Sequence, residues 1–290
     1  MKRKIKLSEI CNNLNLNFFG DDKEIYGLNL CNRLSEYDNI ISFMNNISFK
    51  ETIEKNNKIS VVILNKENLD DMKEIIKKNN LSYILHNEPE ELFYDIHQFL
   101  YNETDFYDKF DFDAKIGKGC QIAKNAIIER GVIIGDNVSI GYNSIIMKGT
   151  IIGNNTRIGC NNTIGAQGFQ AIKTKYLIKT IVHTGKLVIG DNVYIGDNNT
   201  MCISLFDSYT HIQNNAIIDN LVHVAHNCII GESATLTAGV ILCGSSIIEK
   251  KAFIGVNSSI KNRKIVGENS IIGMGSVVTN NINKNAVAFG

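Results

Sequence analysis

The chain has 290 residues, and its 30 basic side chains are matched by 30 acidic ones, so it carries no formal net charge at neutral pH. This balance argues against a nucleic-acid partner and against binding to an anionic membrane surface, because both depend on clustered positive charge. Apolar residues make up 44% of the chain, an ordinary share for a soluble globular protein with room for two cores.

The beginning of the chain and its cysteines bear on its compartment. The basic start MKRKIKLSEICNNL is not followed by the apolar run of a secretory signal, and no stretch approaches the length of a membrane span. The seven cysteines include no CxxC pair and no Cys/His cluster at metal-ligand spacing. We therefore expect a cytoplasmic protein with reduced thiols, no bound metal and no transmembrane segment.

Residues 1–105 alternate between strand and helix patterns. KISVVILN and LSYILHN are typical of strands, whereas LDDMKEIIKKN and EELFYDIHQFLYN are typical of helices. This alternation predicts a small α/β domain at the start of the chain.

An isoleucine then recurs every six residues, at Ile116, Ile122, Ile128, Ile134, Ile140, Ile146, Ile152, Ile158 and Ile164. The position two residues before each of these anchors is mostly small or β-branched, and glycine often follows the anchor. Such a pattern fits a short strand followed by a tight corner at which glycine or asparagine adopts a positive φ. Three strands close a triangular coil of 18 residues. We predict a left-handed parallel β-helix over about 114–278, within a domain of residues 106–290.

The six-residue period is interrupted once. An excursion runs from about residue 166 to 186, after which anchors return at Ile189, Ile195 and Met201. The period slips by one residue before Ile212 and then continues to Val278. The excursion and the slip mark the places where the solenoid departs from regularity.

The segment after the slip carries the residues best suited to chemistry. His226 lies two residues beyond the anchor Val224, where its ring would project outward, and Gly244 follows 18 residues later. The two should therefore stack one coil apart, at about 4.7–4.9 Å. A neutral imidazole can deprotonate an amine or hydroxyl, and a glycine N–H can stabilise an oxyanion. Asp219 is a candidate to orient the imidazole or bind the amine. The alternative is an inert corner histidine and a turn glycine.

The remaining histidines and cysteines are weaker candidates. His183, in the excursion, is a possible pocket residue, whereas His211 is expected at the surface. Cys120 and Cys228 occupy small inward positions. Neither Cys202 nor Cys243 has an activating base beside it in the sequence, which disfavours a cysteine nucleophile.

These segments resemble, in order and over nearly the whole chain, the UDP-3-O-acylglucosamine N-acyltransferases of lipid A biosynthesis. VHVAHN resembles the catalytic signature of that family, which implies that His226 is the general base. The resemblance further implies that Asp219, in IIDN, is an important acidic residue and that Gly244 faces the reacting thioester. IGAQGFQ and VHTGKLVIGDNVYIG resemble the family segments that open and close the excursion.

ISFMNNISF, residues 41–49, resembles the loop with which the family grips uracil. The resemblance implies that Phe43 stacks on the base and that Asn46 hydrogen-bonds its edge. Phe49 stands where the family usually has tyrosine. The alternative for Phe43 is a role in the core of the first domain.

The sequence departs from the family at three places. MCISLFD replaces an Asp-Arg-Gly-like stretch, and Arg263 stands where the family commonly has a second active-site histidine. The sequence ends at NAVAFG, where the family continues into helices that help dock acyl carrier protein. The expected donor is a thioester of acyl carrier protein or of coenzyme A. Arg263 is a candidate to pair with the phosphates of coenzyme A, and the alternative is that Arg263 is a solvated surface residue. No tightly bound cofactor is expected.

The sequence thus favours an N-acyltransferase acting on a UDP-linked amino sugar, in lipid A or surface-glycan biosynthesis. One alternative is an acetyl-CoA-dependent acetyltransferase that modifies a nucleotide sugar for a surface glycan. Another is a solenoid without catalytic activity that binds a nucleotide sugar. Flat prism faces and the trimeric state of the family lead us to expect a homotrimer.

Overall fold

The computed structural model describes residues 4–33, 35–206 and 208–290, which form two compact units. The first unit comprises residues up to Asp108 together with Gln170–Ile181, and the second comprises Lys109–Phe169 and Val182–Gly290. The first three residues of the basic start, and Asp207 of MCISLFD, lie outside the described residues. None of the described helices is long and apolar enough to cross a membrane.

The first unit is an α/β domain built on a five-stranded sheet. Its strands, in spatial order, are Phe18–Phe19, Ser82–Leu85, Ile59–Leu64, Ile40–Met44 and Gly27–Leu28. All neighbouring pairs are parallel except Phe18–Phe19 with Ser82–Leu85. The α-helices are Leu7–Asn13, Lys50–Lys55, Leu69–Lys78 and Pro89–Asn102, with a 3-10 turn at Ile47–Phe49. Two antiparallel pairs complete the unit, Ile5–Lys6 with Glu24–Ile25 and Ala171–Lys173 with Ile178–Thr180.

The strands and helices predicted before residue 105 are confirmed. Every residue of Ile59–Leu64 is buried, as expected for a central parallel strand with both faces covered. Helix Leu69–Lys78 buries Met72 and Ile75, and helix Pro89–Asn102 buries Phe93 and other apolar side chains.

The second unit is the predicted left-handed parallel β-helix. Its first face contains Lys115–Ile116, Ile133–Ile134, Thr150–Ile152, Lys186–Ile189, Tyr209–Ile212, Ile229–Ile230, Ile247–Ile248 and Ile265–Val266. The second contains Gln121–Ile122, Ser139–Ile140, Arg157–Ile158, Tyr194–Ile195, Ile217–Ile218, Thr235–Leu236, Phe253–Ile254, Ile271–Ile272 and Val287–Ala288. The third contains Ile127–Ile128, Ile145–Ile146, Thr163–Ala166, Thr200–Cys202, His223–Val224, Ile241–Leu242, Ser259–Ile260 and Val277–Val278.

The anchor residues form the core of the solenoid. Anchors from Ile134 to Val278 are at most 6% exposed, and each pairs with the anchor one coil away, as Ile140 does with Ile158. Ile116 is 49% exposed because no coil of the solenoid precedes it to cover it. Burial of one apolar side chain per strand therefore stabilises every turn of the prism.

Glycine has two different roles in the coils. Positive φ falls three residues after the anchor, on asparagines such as Asn137 and Asn155, whose φ angles are 57° and 56°. Of the glycines directly after anchors, Gly153 shows the actual constraint, since a Cβ there would lie 2.5 Å from the carbonyl carbon of Gly190 in the next coil. The predicted corner with glycine or asparagine at positive φ is therefore confirmed, whereas at Gly153 close approach of successive coils excludes a side chain.

The excursion of the sequence has a hairpin at its centre. Ala171–Lys173 and Ile178–Thr180 pair within the first unit, where Lys179 Nζ lies 3.0 Å from a carboxylate oxygen of Glu91 and 2.8 Å from one of Asp95. The flanking segments that contain Gln167 and His183 belong to the second unit. The excursion thus leaves the solenoid, contributes to the first unit, and returns.

Candidate active site

His226 lies at the corner that follows strand His223–Val224. Its side chain points away from the anchors, as predicted, but the residue is only 8% exposed. Outward projection does not expose this residue to solvent, because Gly168 and His183, at the two ends of the excursion, pack against it. A titratable ring held in a nearly buried position is a stronger candidate for chemistry than a solvated one.

Gly244 lies against the reactive edge of His226. A Cβ on Gly244 would stand 2.6 Å from Nε2 and 2.8 Å from Cε1 of His226. The backbone confirms the one-coil offset, since Ser245 N donates to the carbonyl of His226 at 2.9 Å. Among the hydrogen bonds of the described residues, the Gly244 N–H donates to none. The backbone of Gly244 therefore lies beside Nε2 of His226.

Asn227 fixes the tautomer of His226. The Asn227 Oδ1 lies 2.9 Å from His226 Nδ1 and also accepts the Leu205 N–H at 3.1 Å. A backbone N–H can only donate, so the atom that it meets must be the amide oxygen, and Nδ1 must carry the hydrogen. In the neutral form of the ring Nε2 then carries the lone pair that a general base requires.

The position of Asn227 is itself set by its surroundings. Its backbone has a φ of 59°, and its N–H donates to the buried Thr210 Oγ1 at 2.8 Å. Asparagine tolerates this conformation better than most residues. Sequence reasoning missed Asn227, although its place directly after His226, at the corner position where asparagine recurs, was a usable signal.

His183 packs beside His226, as the prediction of a pocket residue allowed. It is 2% exposed, and its ring centroid lies 5.1 Å from that of His226, with the planes at 63°. The Gln167 side chain holds the His183 backbone twice: Oε1 accepts the N–H at 2.8 Å, and Nε2 donates to the carbonyl at 3.2 Å. A Cβ on Gly168 would collide with His183 Nε2 and stand 3.0 Å from His226 Cβ.

Asp219 and Arg263 lie at other positions on the solenoid. Asp219 follows strand Ile217–Ile218 of the second face, and its Oδ1 accepts the N–H of Asn220 at 2.8 Å. The side chain that hydrogen-bonds His226 Nδ1 is instead that of Asn227. Arg263 is exposed, and its N–H donates to the Gly244 carbonyl at 3.1 Å, which places it one coil beyond the glycine.

The loop expected to grip uracil lies at the end of strand Ile40–Met44. The half-buried Phe43 ring packs 4.9 Å from that of Phe93, as the core alternative for this residue requires. Asn46 is exposed, and its Oδ1 accepts the Ser48 N–H at 2.9 Å. Phe49 is half-buried against the core beneath the sheet. Asn46 therefore caps the 3-10 turn that precedes helix Lys50–Lys55.

Cys202 and Cys228 are poor candidates for a nucleophile. Burial raises the pKa of Cys202 and of Cys228 to about 11, so both thiols stay protonated at neutral pH. Burial lowers the pKa of His211 and of His223, which favours their neutral forms. Within the described residues, no group of three or more His, Cys, Asp or Glu side chains is arranged to hold a metal ion.

Comparison with known families identifies the repeat. A model described as bacterial transferase hexapeptide (six repeats) matches residues 113–147 and 134–166, and a model of the hexapeptide repeat of succinyl-transferase matches residues 245–280. Coils within these two segments therefore match transferase hexapeptide repeats. A comparison with curated protein sequences gave no match.

Solved structures with this hexapeptide fold extend the likeness. A UDP-N-acetylglucosamine acyltransferase from Campylobacter jejuni is 25% identical, with a TM-score of 0.51 over 60% of this chain and 66% of its own. One from Bacteroides fragilis is 29% identical, with a TM-score of 0.50 over 60% of this chain and 68% of its own. The chain spans about two thirds of the length of these proteins. Both are named for a UDP-sugar substrate, and neither name specifies transfer to nitrogen.

Proposed function

We propose that the protein is an acyltransferase that moves an acyl group from a pantetheine thioester to the amine of a UDP-linked amino sugar. The observation that carries the proposal is the placement of His226 Nε2, with its lone pair set by Asn227, against Gly244. The likeness to UDP-N-acetylglucosamine acyltransferases supports a UDP-sugar acceptor. The sequence resemblance to N-acyltransferases supports nitrogen as the acylated atom.

The proposed reaction uses the two groups in turn. As the amine nitrogen attacks the thioester carbonyl, His226 Nε2 takes the proton that the amine loses. The Gly244 N–H donates to the oxygen that becomes negatively charged in the tetrahedral intermediate. Collapse of the intermediate breaks the carbon–sulfur bond, and the departing thiolate receives from His226 the proton that the amine lost. The products are an amide and a free thiol.

The remaining assignments follow the sequence resemblance. Phe43, Asn46 and Phe49 are proposed to bind the uridine group, and Asp219 is proposed to bind the incoming amine. The product belongs to lipid A or another surface glycan, and the protein acts in the cytoplasm as a homotrimer. The acyl donor is acyl carrier protein or coenzyme A, with no tightly bound cofactor.

A second candidate is an acetyl-CoA-dependent acetyltransferase acting on a nucleotide sugar. The observation that favours it is the positive charge one coil beyond Gly244, where Arg263 and Lys261 are both exposed. Cationic side chains at this corner suit the phosphates of coenzyme A. The two candidates share the same His226 and Gly244 chemistry and differ in the donor.

The test offers UDP-amino sugars with acetyl-CoA and, in parallel, with 3-hydroxyacyl carrier protein, and detects products by mass spectrometry. The His226→Ala variant should lose at least about 100-fold in turnover, because it lacks the base, while its thermal unfolding midpoint is little changed. His211→Ala, also on the solenoid, is the matched control. Full activity of His226→Ala would contradict the mechanism, and transfer from the carrier protein alone would exclude the coenzyme A candidate.

A further inference from the structure

One hydrogen bond does not by itself hold the His226 ring in place. The bond from Nδ1 to Asn227 Oδ1 fixes which nitrogen carries the hydrogen. That bond leaves rotation of the ring about the contact to be limited by other interactions, and such rotation would move Nε2 away from the space beside Gly244. Packing against the ring is one of the interactions that limit it.

The two ends of the excursion supply that packing. Gly168 approaches so closely that a Cβ there would stand 3.0 Å from His226 Cβ. The His183 ring meets the His226 ring at 5.1 Å, in a tilted, edge-on arrangement that is favourable for two aromatic rings. The Gln167 side chain hydrogen-bonds both the N–H and the carbonyl of His183, and these bonds fix the backbone that carries the His183 ring.

We propose that His183 is a positioning residue for His226, which acts through ring packing and keeps Nε2 directed at the space beside Gly244. This inference rests on the proposed function and assigns a purpose to the excursion that the repeat alone does not explain. The histidine that does the chemistry sits on the regular solenoid, whereas the residues that confine it come from the segment that interrupts the period. A shift of about 1 Å in a reacting group can cost on the order of 100-fold in rate.

The kinetic test compares His183→Ala with His183→Phe in the full chain. His183→Ala should lower kcat about tenfold to 100-fold and leave KM within about threefold, because substrate binding does not require the ring. His183→Phe keeps a ring of similar shape and should restore kcat to within about threefold of the original. His211→Ala is the control histidine. An unchanged kcat in His183→Ala, or a kcat in His183→Phe as low as in His183→Ala, would overturn the proposal.

A second variant covers the case in which His183→Ala unfolds. Gly168→Ala retains His183 and forces a methyl group against the His183 ring and against Cβ of His226. It should reproduce the loss of kcat with little change in KM, and full activity of this variant would count against positioning.

A readout without substrate separates this inference from the proposed function. In nitrogen-15 spectra of the histidine rings, with His226→Asn used for assignment, His226 should give one sharp set of signals. The signals should broaden or average in His183→Ala and sharpen again in His183→Phe. Identical His226 signals in all three proteins would overturn positioning, whereas a failure of acyl transfer alone would overturn only the proposed function.

Discussion

Gly244 makes the most exacting demand on a single residue in the proposed site. A methyl group there would stand 2.6 Å from His226 Nε2, on a ring that Asn227 and His183 prevent from moving aside. The glycine does not have the left-handed φ that would make alanine strained. We therefore expect Gly244→Ala to fold but to lose about 100-fold or more in kcat, since base and oxyanion donor are displaced together.

The control for Gly244→Ala is Gly27→Ala in the first unit, where the nearest atom to a new Cβ is Ile40 Cγ2 at 3.4 Å. That distance is ordinary van der Waals contact, so this variant should keep both its activity and its thermal unfolding midpoint. Retention of full activity by Gly244→Ala would show that the acyl group does not react beside this glycine.

The pairing of His226 with Gly244 was predictable because both lie on the regular part of the solenoid, 18 residues apart. The burial of His226 was not predictable, since it depends on the path of the excursion, which has no period. Asp219 shows the limit of reasoning from proximity in sequence. It lies seven residues before His226, yet it follows a strand of a different face, while the adjacent Asn227 makes the hydrogen bond.

At the scale of the coil, Gly153, directly after the anchor Ile152, allows the close approach of successive backbones. Gly153→Ala would place a Cβ 2.5 Å from the Gly190 carbonyl carbon, and backbone atoms cannot rotate away as a side chain can. We expect it to destabilise the solenoid by about 3 kcal/mol.

Gly275→Ala is the comparison for this prediction, because its Cβ would meet nothing within 4 Å and only its φ of 70° opposes alanine. That strain should cost about 1 kcal/mol. Thermal unfolding, monitored by far-ultraviolet circular dichroism, shows which of the two variants loses more stability. A larger loss in Gly275→Ala would mean that backbone conformation, and not coil spacing, selects glycine at these corners.

At the scale of the whole molecule, the sequence showed where the solenoid pattern is interrupted but not where the inserted residues pack. The loss of the six-residue period marked the excursion correctly. Its central hairpin nevertheless belongs to the first unit, where Lys179 pairs with Glu91 and Asp95. These ion pairs join residues more than 80 positions apart in the sequence, so a local sequence pattern cannot predict them.

The second face of the solenoid carries a column of exposed apolar side chains that bears on assembly. Ile217, Phe253, Ile271 and Val287 are 39–58% exposed and stand on strands of one sheet. Thr235 stands between Ile217 and Phe253 in this column. An exposed, mostly apolar column of this kind is typical of a surface that another protein covers. We propose that a second copy of the chain covers it, as the expected homotrimer requires.

Light scattering coupled to size exclusion tests this assembly at micromolar concentration. For the unsubstituted protein, the mass measured by light scattering should be three times the chain mass of 32.3 kDa. Ile271→Lys places a charge in the column and should shift the protein toward the monomer, because an unpaired charge is costly to bury. Asn283→Lys, at an exposed position outside the column, should remain trimeric. A monomeric original chain would contradict the proposed trimer, and a trimeric Ile271→Lys would place the interface on another face.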